Sequence, residues 1–152
     1  MRVRELMSGA LLTIEPSASC HDAVQRMFKN QVRHLPVVGD DGALVGVITD
    51  RDIRHHLFTP DVFRTIGATD VQALLRGVSV RDVMSSPVVT TSADADITDA
   101  ARTMRQAKVG SVPVLDGGRV IGIVTETDLL RELVRADRLC CPDVEAIVVS
   151  FP

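Results

Sequence analysis

The chain contains no tryptophan and no tyrosine, and its four phenylalanines are widely separated. Proteins that bind single-stranded nucleic acids without sequence preference stack the bases on aromatic side chains, so this scarcity argues against such a surface. The net charge is -3, with acidic and basic residues interspersed and no basic stripe to attract a phosphate backbone. We therefore expect no nucleic-acid partner.

Long apolar runs are also absent, and the first residues lead into no extended hydrophobic segment. A membrane-spanning helix needs about 20 predominantly apolar residues, so we expect no membrane association and a cytoplasmic location. No nucleophile elbow, phosphate-binding loop or pair of catalytic carboxylates is recognisable. The chain is accordingly expected to have no catalytic residues, no metal and no permanent cofactor.

Cysteine is scarce: Cys20, Cys140 and Cys141 form neither an even set nor a CxxC pair. Free thiols in a reducing compartment are therefore expected. A redox or metal-responsive role remains an alternative. In particular, Cys20 lies beside His21 at a predicted helix start, where a thiol pKa is lowered and the thiol becomes reactive.

What the chain does contain is a tandem repeat. The segment VRELMS at 3–8 returns as VRDVMS at 80–85, and GVITDRD at 46–52 returns as GIVTETD at 122–128. Two similar units of this kind usually pack as a pseudo-symmetric pair with two related clefts between them. A unit of about 60 residues buries only a marginal core alone. We therefore expect the repeats to bury each other and the molecule to form a homodimer.

Each repeat is predicted to fold as strand, helix, strand, strand, helix, which gives an α/β fold of two pseudo-symmetric repeats packed through their sheets. The predicted boundaries are 1–58 for repeat one, 59–77 for a helical connector and 78–138 for repeat two. The remaining residues, 139–152, form an apolar tail that is expected to be an added strand or a contact with a partner chain.

Local signals place the elements of each repeat. Ser19 and Asp96 are predicted to cap the first helices, and four residues of repeat one are predicted to form the apolar face of its helix: Ala23, Val24, Met27 and Phe28. Pro36 and Pro113 lie inside the first strand of each predicted hairpin. Proline there predicts either an edge strand or a locally unpaired backbone nitrogen. In the connector, Thr59 is expected to cap one helix and Gly77 to end a second, over 71–76.

The strongest chemical motif is Gly-apolar-apolar-Thr-x-x-Asp, which ends in Thr49 and Asp52 and again in Thr125 and Asp128. It places a hydroxyl and a carboxylate where a strand becomes a helix. Backbone N–H groups at a helix start attract phosphate, and a carboxylate there accepts the hydroxyls of a ribose. The glycine lets the backbone approach a ligand closely. The same spacing is also that of a capping box, in which both side chains serve the helix itself.

The ordered set of motifs, present twice, resembles a pair of cystathionine-β-synthase (CBS) domains over roughly 1–58 and 78–138. The resemblance implies a module with two clefts, often dimeric, that binds adenine-containing ligands. It also implies a ribose-binding role for Asp52 and Asp128, and a position near the phosphate for Thr49 and Thr125. The first strands, Thr13-Ile14 and Thr90-Thr91, are implied to offer backbone groups to the adenine.

The two repeats differ around these motifs. Repeat one carries Arg33, His34 and Arg51, where repeat two has Gly110, Ser111 and Thr127. Because arginine suits fork-like phosphate contacts, we expect the cleft of repeat one to prefer a phosphorylated nucleotide. The second cleft is expected to bind weakly, to take an uncharged adenosyl ligand, or to be empty. Arg33 could serve either phosphate, since the clefts face each other.

These features favour a regulatory module that senses AMP, ADP or ATP in the cleft between the repeats. It would relay a conformational change to an effector protein or between subunits, and the effector is unknown. Two alternatives stay open: a structural or interaction module without a ligand, and a redox or metal-responsive protein using Cys20, Cys140 and Cys141.

Overall fold

The structure is a computed structural model that describes residues 1–9, 11–57 and 71–137. The predicted cap at Thr59, the tail at 139–152 and with it Cys140 and Cys141 lie outside the described residues. Twelve helices and strands follow one another in the described part: α1 (Val3–Leu6), α2 (Cys20–Asn30), β1 (His34–Val38), β2 (Leu44–Thr49), α3 (Asp50–Leu57), α4 (Val71–Gly77), α5 (Val80–Val83), β3 (Thr91–Ser92), α6 (Ile97–Ala107), β4 (Ser111–Asp116), β5 (Arg119–Thr125) and α7 (Glu126–Asp137). Helix α4 confirms the second helix predicted for the connector.

Each repeat is built on an antiparallel hairpin, and the two hairpins match in register. In the first, His34 of β1 faces Thr49 of β2; in the second, Ser111 of β4 faces Thr125 of β5. Strand β4 lies between β3 and β5, so the edge position that Pro113 predicted is wrong. The alternative prediction, a locally unpaired backbone nitrogen, is the one consistent with a central strand.

The first strand of each repeat is shorter than predicted. In repeat two it is the two-residue strand β3, which runs parallel to β4 and begins at Thr91 rather than Thr90. In repeat one it is reduced to a single parallel bridge between Ile14 and Val37. The predicted order of strand, helix, strand, strand, helix is therefore found in repeat two, whereas in repeat one the bridge at Ile14 stands in the place of the first strand.

The helix caps predicted at Ser19 and Asp96 are confirmed. Ser19 and Asp22 form a reciprocal capping box at the start of α2, and the Asp96 carboxylate accepts the N–H of Thr98 at the start of α6. Of the apolar face predicted for α2, Ala23 and Met27 are buried. Phe28 is exposed, so its assignment to that face is wrong.

The two repeats exchange their short opening helices. Val3 of α1 is buried in the core of repeat two, beside Val112 and Val124, whereas Val80 of α5 is buried in the core of repeat one. Backbone hydrogen bonds hold both docked helices, from Val3 N–H to the Ala95 carbonyl at 3.0 Å and from Val80 N–H to the Ala18 carbonyl at 2.8 Å. Neither core is therefore complete without a segment of the other repeat.

The glycine of each Thr-x-x-Asp motif serves this exchange rather than a ligand. A Cβ on Gly122 would lie 2.8 Å from Sδ of Met7 and 3.0 Å from the Ser8 carbonyl oxygen, and Met84 occupies the matching space beside Gly46. The expectation that these glycines let the backbone approach a ligand is therefore wrong, because a methionine fills the space.

Candidate functional site

The first strand–helix junction joins β2 to α3 through two side chains. Oγ1 of Thr49 accepts the N–H of Asp52 at 3.1 Å, and Oδ2 of Asp52 accepts both the N–H of Thr49 at 2.9 Å and its hydroxyl at 2.6 Å. This is the capping box that the sequence offered as an alternative. Within the described ranges, Oδ1 of Asp52 takes no hydrogen bond from a protein group. As far as residues 1–9, 11–57 and 71–137 are concerned, one carboxylate oxygen is therefore open to a ligand.

The second junction, from β5 to α7, repeats the capping box with one addition. Oδ2 of Asp128 accepts the N–H of Thr125 at 2.9 Å and its hydroxyl at 2.7 Å. In addition, Oδ1 of Asp128 accepts a hydrogen bond from Nη1 of Arg131 at 3.1 Å. Both oxygens of this carboxylate are thus in use, and Asp128 is only 7% exposed. The sequence analysis did not identify Arg131.

The starts of the two hairpins face each other across the pair of repeats. The N–H of Asp50 donates to the Arg33 carbonyl at 3.1 Å, and that of Glu126 donates to the Gly110 carbonyl at 3.0 Å, so each hairpin start is tied to the helix that follows it. A Cβ on Gly110 would lie 3.2 Å from Nε2 of His34. Since His34 belongs to repeat one and Gly110 to repeat two, the contact joins the two hairpin starts.

His34 is half-buried among charged groups from both repeats. Burial lowers the pKa of His34 below its ordinary value, and the charge of Arg33 acts in the same direction. The carboxylates of Asp50, Glu126 and Asp52 oppose this change in pKa, but the effect of burial is larger. His34 is therefore neutral near pH 7 and donates through one ring nitrogen only. Arg33 and Arg51, which flank this junction in the sequence, are both exposed.

The residues proposed to face adenine lie at one side of the first hairpin. The N–H of Ile14 donates to the Pro36 carbonyl at 3.0 Å and its carbonyl accepts from Val38 at 2.9 Å, so both backbone groups of Ile14 are already paired. The Thr13 carbonyl accepts a hydrogen bond from Arg26. Both residues border a cavity of about 490 Å³, whose further lining includes Arg26 and Asp40.

The matching positions of repeat two offer less polar surface at the hairpin start. Ser111 is buried, where His34 of repeat one is half-buried. Thr90 and Thr91 are both partly exposed, with Thr91 paired to Val114 in the sheet. The structure therefore places Ser111, Thr125 and Asp128 on one hairpin and its junction, as it does His34, Thr49 and Asp52.

Cys20 does not have the lowered thiol pKa that the redox alternative would require. Its side chain is buried, with Sγ 3.6 Å from the Ser79 carbonyl oxygen. Burial, followed by the nearby negative charge of Asp82, raises the pKa of the Cys20 thiol to about 11. A thiol with such a pKa is protonated at pH 7 and is a poor nucleophile. In the described part of the chain, no cluster of three or more histidine, cysteine, aspartate or glutamate side chains could hold a metal ion.

None of the helices in residues 1–9, 11–57 and 71–137 is long and apolar enough to cross a membrane.

Comparison with known proteins matches both repeats. The family model of the CBS domain matches residues 3–59 and again 80–135. A CBS domain-containing protein of Dictyostelium discoideum is 40% identical over 134 residues, which cover 88% of this chain and 91% of that protein. Other curated relatives are longer: the chain spans 31% of an uncharacterised protein of Methanocaldococcus jannaschii and 23% of a homoserine O-acetyltransferase of Methanohalobium evestigatum.

Solved structures share the fold. The CBS domain pair of protein MJ0100, crystallised with 5′-methylthioadenosine and S-adenosyl-L-methionine, is 28% identical with a TM-score of 0.73, over 90% of this chain and 98% of that one. Protein MJ1225 of Methanocaldococcus jannaschii, described as a putative archaeal homologue of the γ subunit of AMPK, is 27% identical with a TM-score of 0.76, over 87% of this chain and 47% of that one. With two matches to the family model and two repeats that exchange their opening helices, the chain belongs to the CBS domain family as a tandem pair.

Proposed function

We propose that this protein is a regulatory module that binds an adenine nucleotide, AMP, ADP or ATP, in the cleft formed by repeat one. Asp52 would accept the ribose hydroxyls through its open oxygen, and Thr49 and Arg51 would lie near the phosphate. Arg33 would add a second cation, with His34 as a neutral donor. The role is regulatory rather than catalytic.

One observation carries this proposal. The two strand–helix junctions meet through the contact of His34 with Gly110, in a fold shared with a CBS pair that was crystallised with two adenosyl ligands. The junction of repeat one combines an open carboxylate oxygen with two exposed arginines. Such a combination suits a ligand that carries both hydroxyls and a phosphate, because arginine makes paired hydrogen bonds to phosphate oxygens.

The proposed output is a change in how the repeats are oriented. A ligand shifts such an equilibrium only by binding one arrangement more tightly than the other. Since the hairpin starts of both repeats face this cleft, a bound nucleotide would contact both and favour one orientation. Helices α3 and α7, which begin at the junctions, would carry the change to an effector protein or a second subunit.

We propose also that the chain acts as a homodimer. Leu130, Leu133 and Val134 are exposed on one face of α7, at helical spacing. Exposed apolar patches of this kind usually mark an interaction surface, which supports a contact between copies of the chain.

Thermal unfolding with AMP, ADP, ATP, S-adenosylmethionine and NAD tests the proposed function. A ligand that binds only the folded chain adds about 2.7 kcal/mol to the free energy of unfolding when its free concentration is about 100 times Kd. We expect a clear rise in melting temperature with at least one adenine nucleotide. A panel in which no adenosyl ligand changes the melting temperature would overturn the proposal.

A second candidate function is a structural module without a ligand. It is favoured by the capping hydrogen bonds at Thr49–Asp52 and Thr125–Asp128, since both pairs already serve their own helices. In that case Asp52→Ala and Asp128→Ala would each cost about 1 kcal/mol of stability, the usual value of a lost helix cap. No nucleotide would change the melting temperature of any variant.

A further inference from the structure

The two aspartates of the matched junctions differ in one hydrogen bond. In each, Oδ2 is occupied by the threonine three residues earlier. Oδ1 of Asp128 accepts from Arg131, whereas Oδ1 of Asp52 has no protein donor among the described residues. A ribose presents two adjacent hydroxyl donors, which together need two acceptor sites. Arg131 takes one of the two sites on Oδ1 of Asp128, so fewer remain there for a ribose than on Oδ1 of Asp52.

Arg131 is positioned to compete without being part of the core. It is three residues after Asp128 on α7, and its side chain is 72% exposed while that of Asp128 is only 10% exposed. The residue at the same position of repeat one is His55, three residues after Asp52 on α3. A hydrogen bond between two charged groups is stronger than one from a neutral hydroxyl, so a ribose hydroxyl competes poorly for the acceptor site that Arg131 holds.

We propose that Arg131 is a specificity-determining residue that lowers the affinity of the second cleft for adenosyl ligands by occupying Oδ1 of Asp128. The inference rests on the proposed function, because it assumes that the matched clefts recognise a ribose. It predicts that the two clefts differ in affinity because of a side chain outside the Thr-x-x-Asp motif.

The test uses an uncharged ligand and a variant in which only the second cleft keeps its aspartate. Asp52→Ala removes the carboxylate of repeat one, and 5′-methylthioadenosine carries no phosphate whose attraction to Arg131 would confuse the comparison. Titration calorimetry then measures Kd for Asp52→Ala alone and with Arg131→Ala added. Arg135→Ala is the matched control, because Arg135 is an exposed arginine on the same helix that faces Glu132, also three residues earlier.

We expect Arg131→Ala to lower Kd by up to about fivefold, because Arg131 is largely exposed and solvent weakens an exposed ion pair. Arg131→Lys should keep most of the lower affinity, since lysine also pairs with a carboxylate. The control Arg135→Ala should leave Kd unchanged. With 2′,3′-dideoxyadenosine, which lacks both ribose hydroxyls, Arg131→Ala should give no gain, a result that a general loosening of the helix would not produce.

Other results would overturn the inference. An unchanged or higher Kd in Asp52→Ala/Arg131→Ala rules it out while leaving the proposed function intact, provided that the wild type binds. If Arg135→Ala lowers Kd as much as Arg131→Ala does, or if Arg131→Ala also lowers Kd for the dideoxy ligand, competition for Oδ1 is ruled out. If the wild type binds no adenosyl ligand at all, the proposed function fails and this inference fails with it.

Discussion

At the scale of single residues, the threonine and aspartate of each junction serve the helix and remain available to a ligand in part. Oδ2 of Asp52 satisfies two donors at the start of α3, which stabilises the junction before any ligand arrives. The capping box is the same at both junctions, and what distinguishes the first is that no donor within the described ranges pairs with Oδ1 of Asp52. The same residue type at the same spacing thus gives two different surfaces, depending on one neighbouring arginine.

His34 gives a prediction on pH that belongs to this scale. Burial lowers its pKa in the folded chain, whereas in the unfolded chain it titrates near 6.5. As pH falls below about 6.5, the unfolded chain takes up a proton that the folded chain resists, so the free energy of unfolding decreases. We expect His34→Gln, which does not titrate, to lose less stability than the wild type between pH 7.5 and 5.5.

Urea unfolding of both proteins at the two pH values measures this difference. The quantity compared is the change in the free energy of unfolding between the two pH values. A loss of stability that the substitution causes equally at both pH values therefore cancels. Equal pH dependence in the two proteins, or a steeper one in His34→Gln, would contradict the assignment of His34 as a group that burial keeps neutral.

At the scale of elements, the contact of β5 with the opening segment of the chain leaves no room for a side chain at Gly122. A Cβ on Gly122 would lie 2.8 Å from Sδ of Met7 and 3.0 Å from the Ser8 carbonyl oxygen, both tighter than ordinary contacts. Because one of these atoms belongs to the backbone and cannot move aside as a side chain can, we expect Gly122→Ala to lower the free energy of unfolding by about 1–3 kcal/mol, the usual cost of overpacking. Chemical denaturation of the purified variant measures it.

Gly77→Ala is the control, since a Cβ there would meet no atom within 4 Å. Met7→Ala in the Gly122→Ala background should recover part of the loss beyond its own effect, but not all of it, because the Ser8 carbonyl remains. Strict additivity of the two substitutions would show that Met7 is not what the glycine accommodates.

The elements that the sequence predicts correctly depend on neighbours along the chain. The caps at Ser19 and Asp96 and the two hairpins are local patterns, and the structure contains them. The exchange of α1 and α5 involves contacts of high sequence separation, as does the packing of Met84 beside Gly46, so a pattern within one repeat does not indicate them. Phe28 fits the helical period of the apolar face but is exposed. The period predicts which side of the helix a residue lies on, but not whether another element packs against it there.

Some residues of the candidate site can likewise be identified from the sequence, whereas others require the structure. The spacing of Thr49 and Asp52 predicts a helix cap, and it is the resemblance of the whole duplicated repeat to CBS domains that implies a ligand role for this pair and its copy. The role of Arg131 depends on which carboxylate oxygen is already in use, which requires coordinates. Similarly, the sequence suggested a lowered pKa for Cys20 from its place at a helix start, but burial raises it to about 11.

At the scale of the whole molecule, each core contains a helix from the other repeat, so the pair is expected to unfold as one unit. The exposed apolar side chains of α7 then give a prediction on assembly. We expect the wild type to be a dimer by light scattering and Leu133→Glu, at a side chain that is 66% exposed, to be a monomer. The reason is that a carboxylate cannot be buried in an apolar contact without a partner.

Phe28→Ser serves as the control, because Phe28 is an exposed apolar side chain on a different helix. It should leave the dimer intact. A wild type that is monomeric at all concentrations, or a Leu133→Glu variant that remains dimeric, would exclude α7 as the contact between copies.

The central claim is that an adenine nucleotide binds at the junction of repeat one through Asp52. Titration calorimetry of the nucleotide that most raises the melting temperature, on wild type, Asp52→Ala and Asp128→Ala, tests it most directly. Each variant removes the capping aspartate of its own junction, so the loss of a cap is common to both. A difference in Kd between them therefore reports on the contact of each aspartate with the ligand. We predict that Asp52→Ala abolishes the high-affinity binding and that Asp128→Ala retains it. Loss of binding in Asp128→Ala alone, or equal binding in all three proteins, would contradict the account.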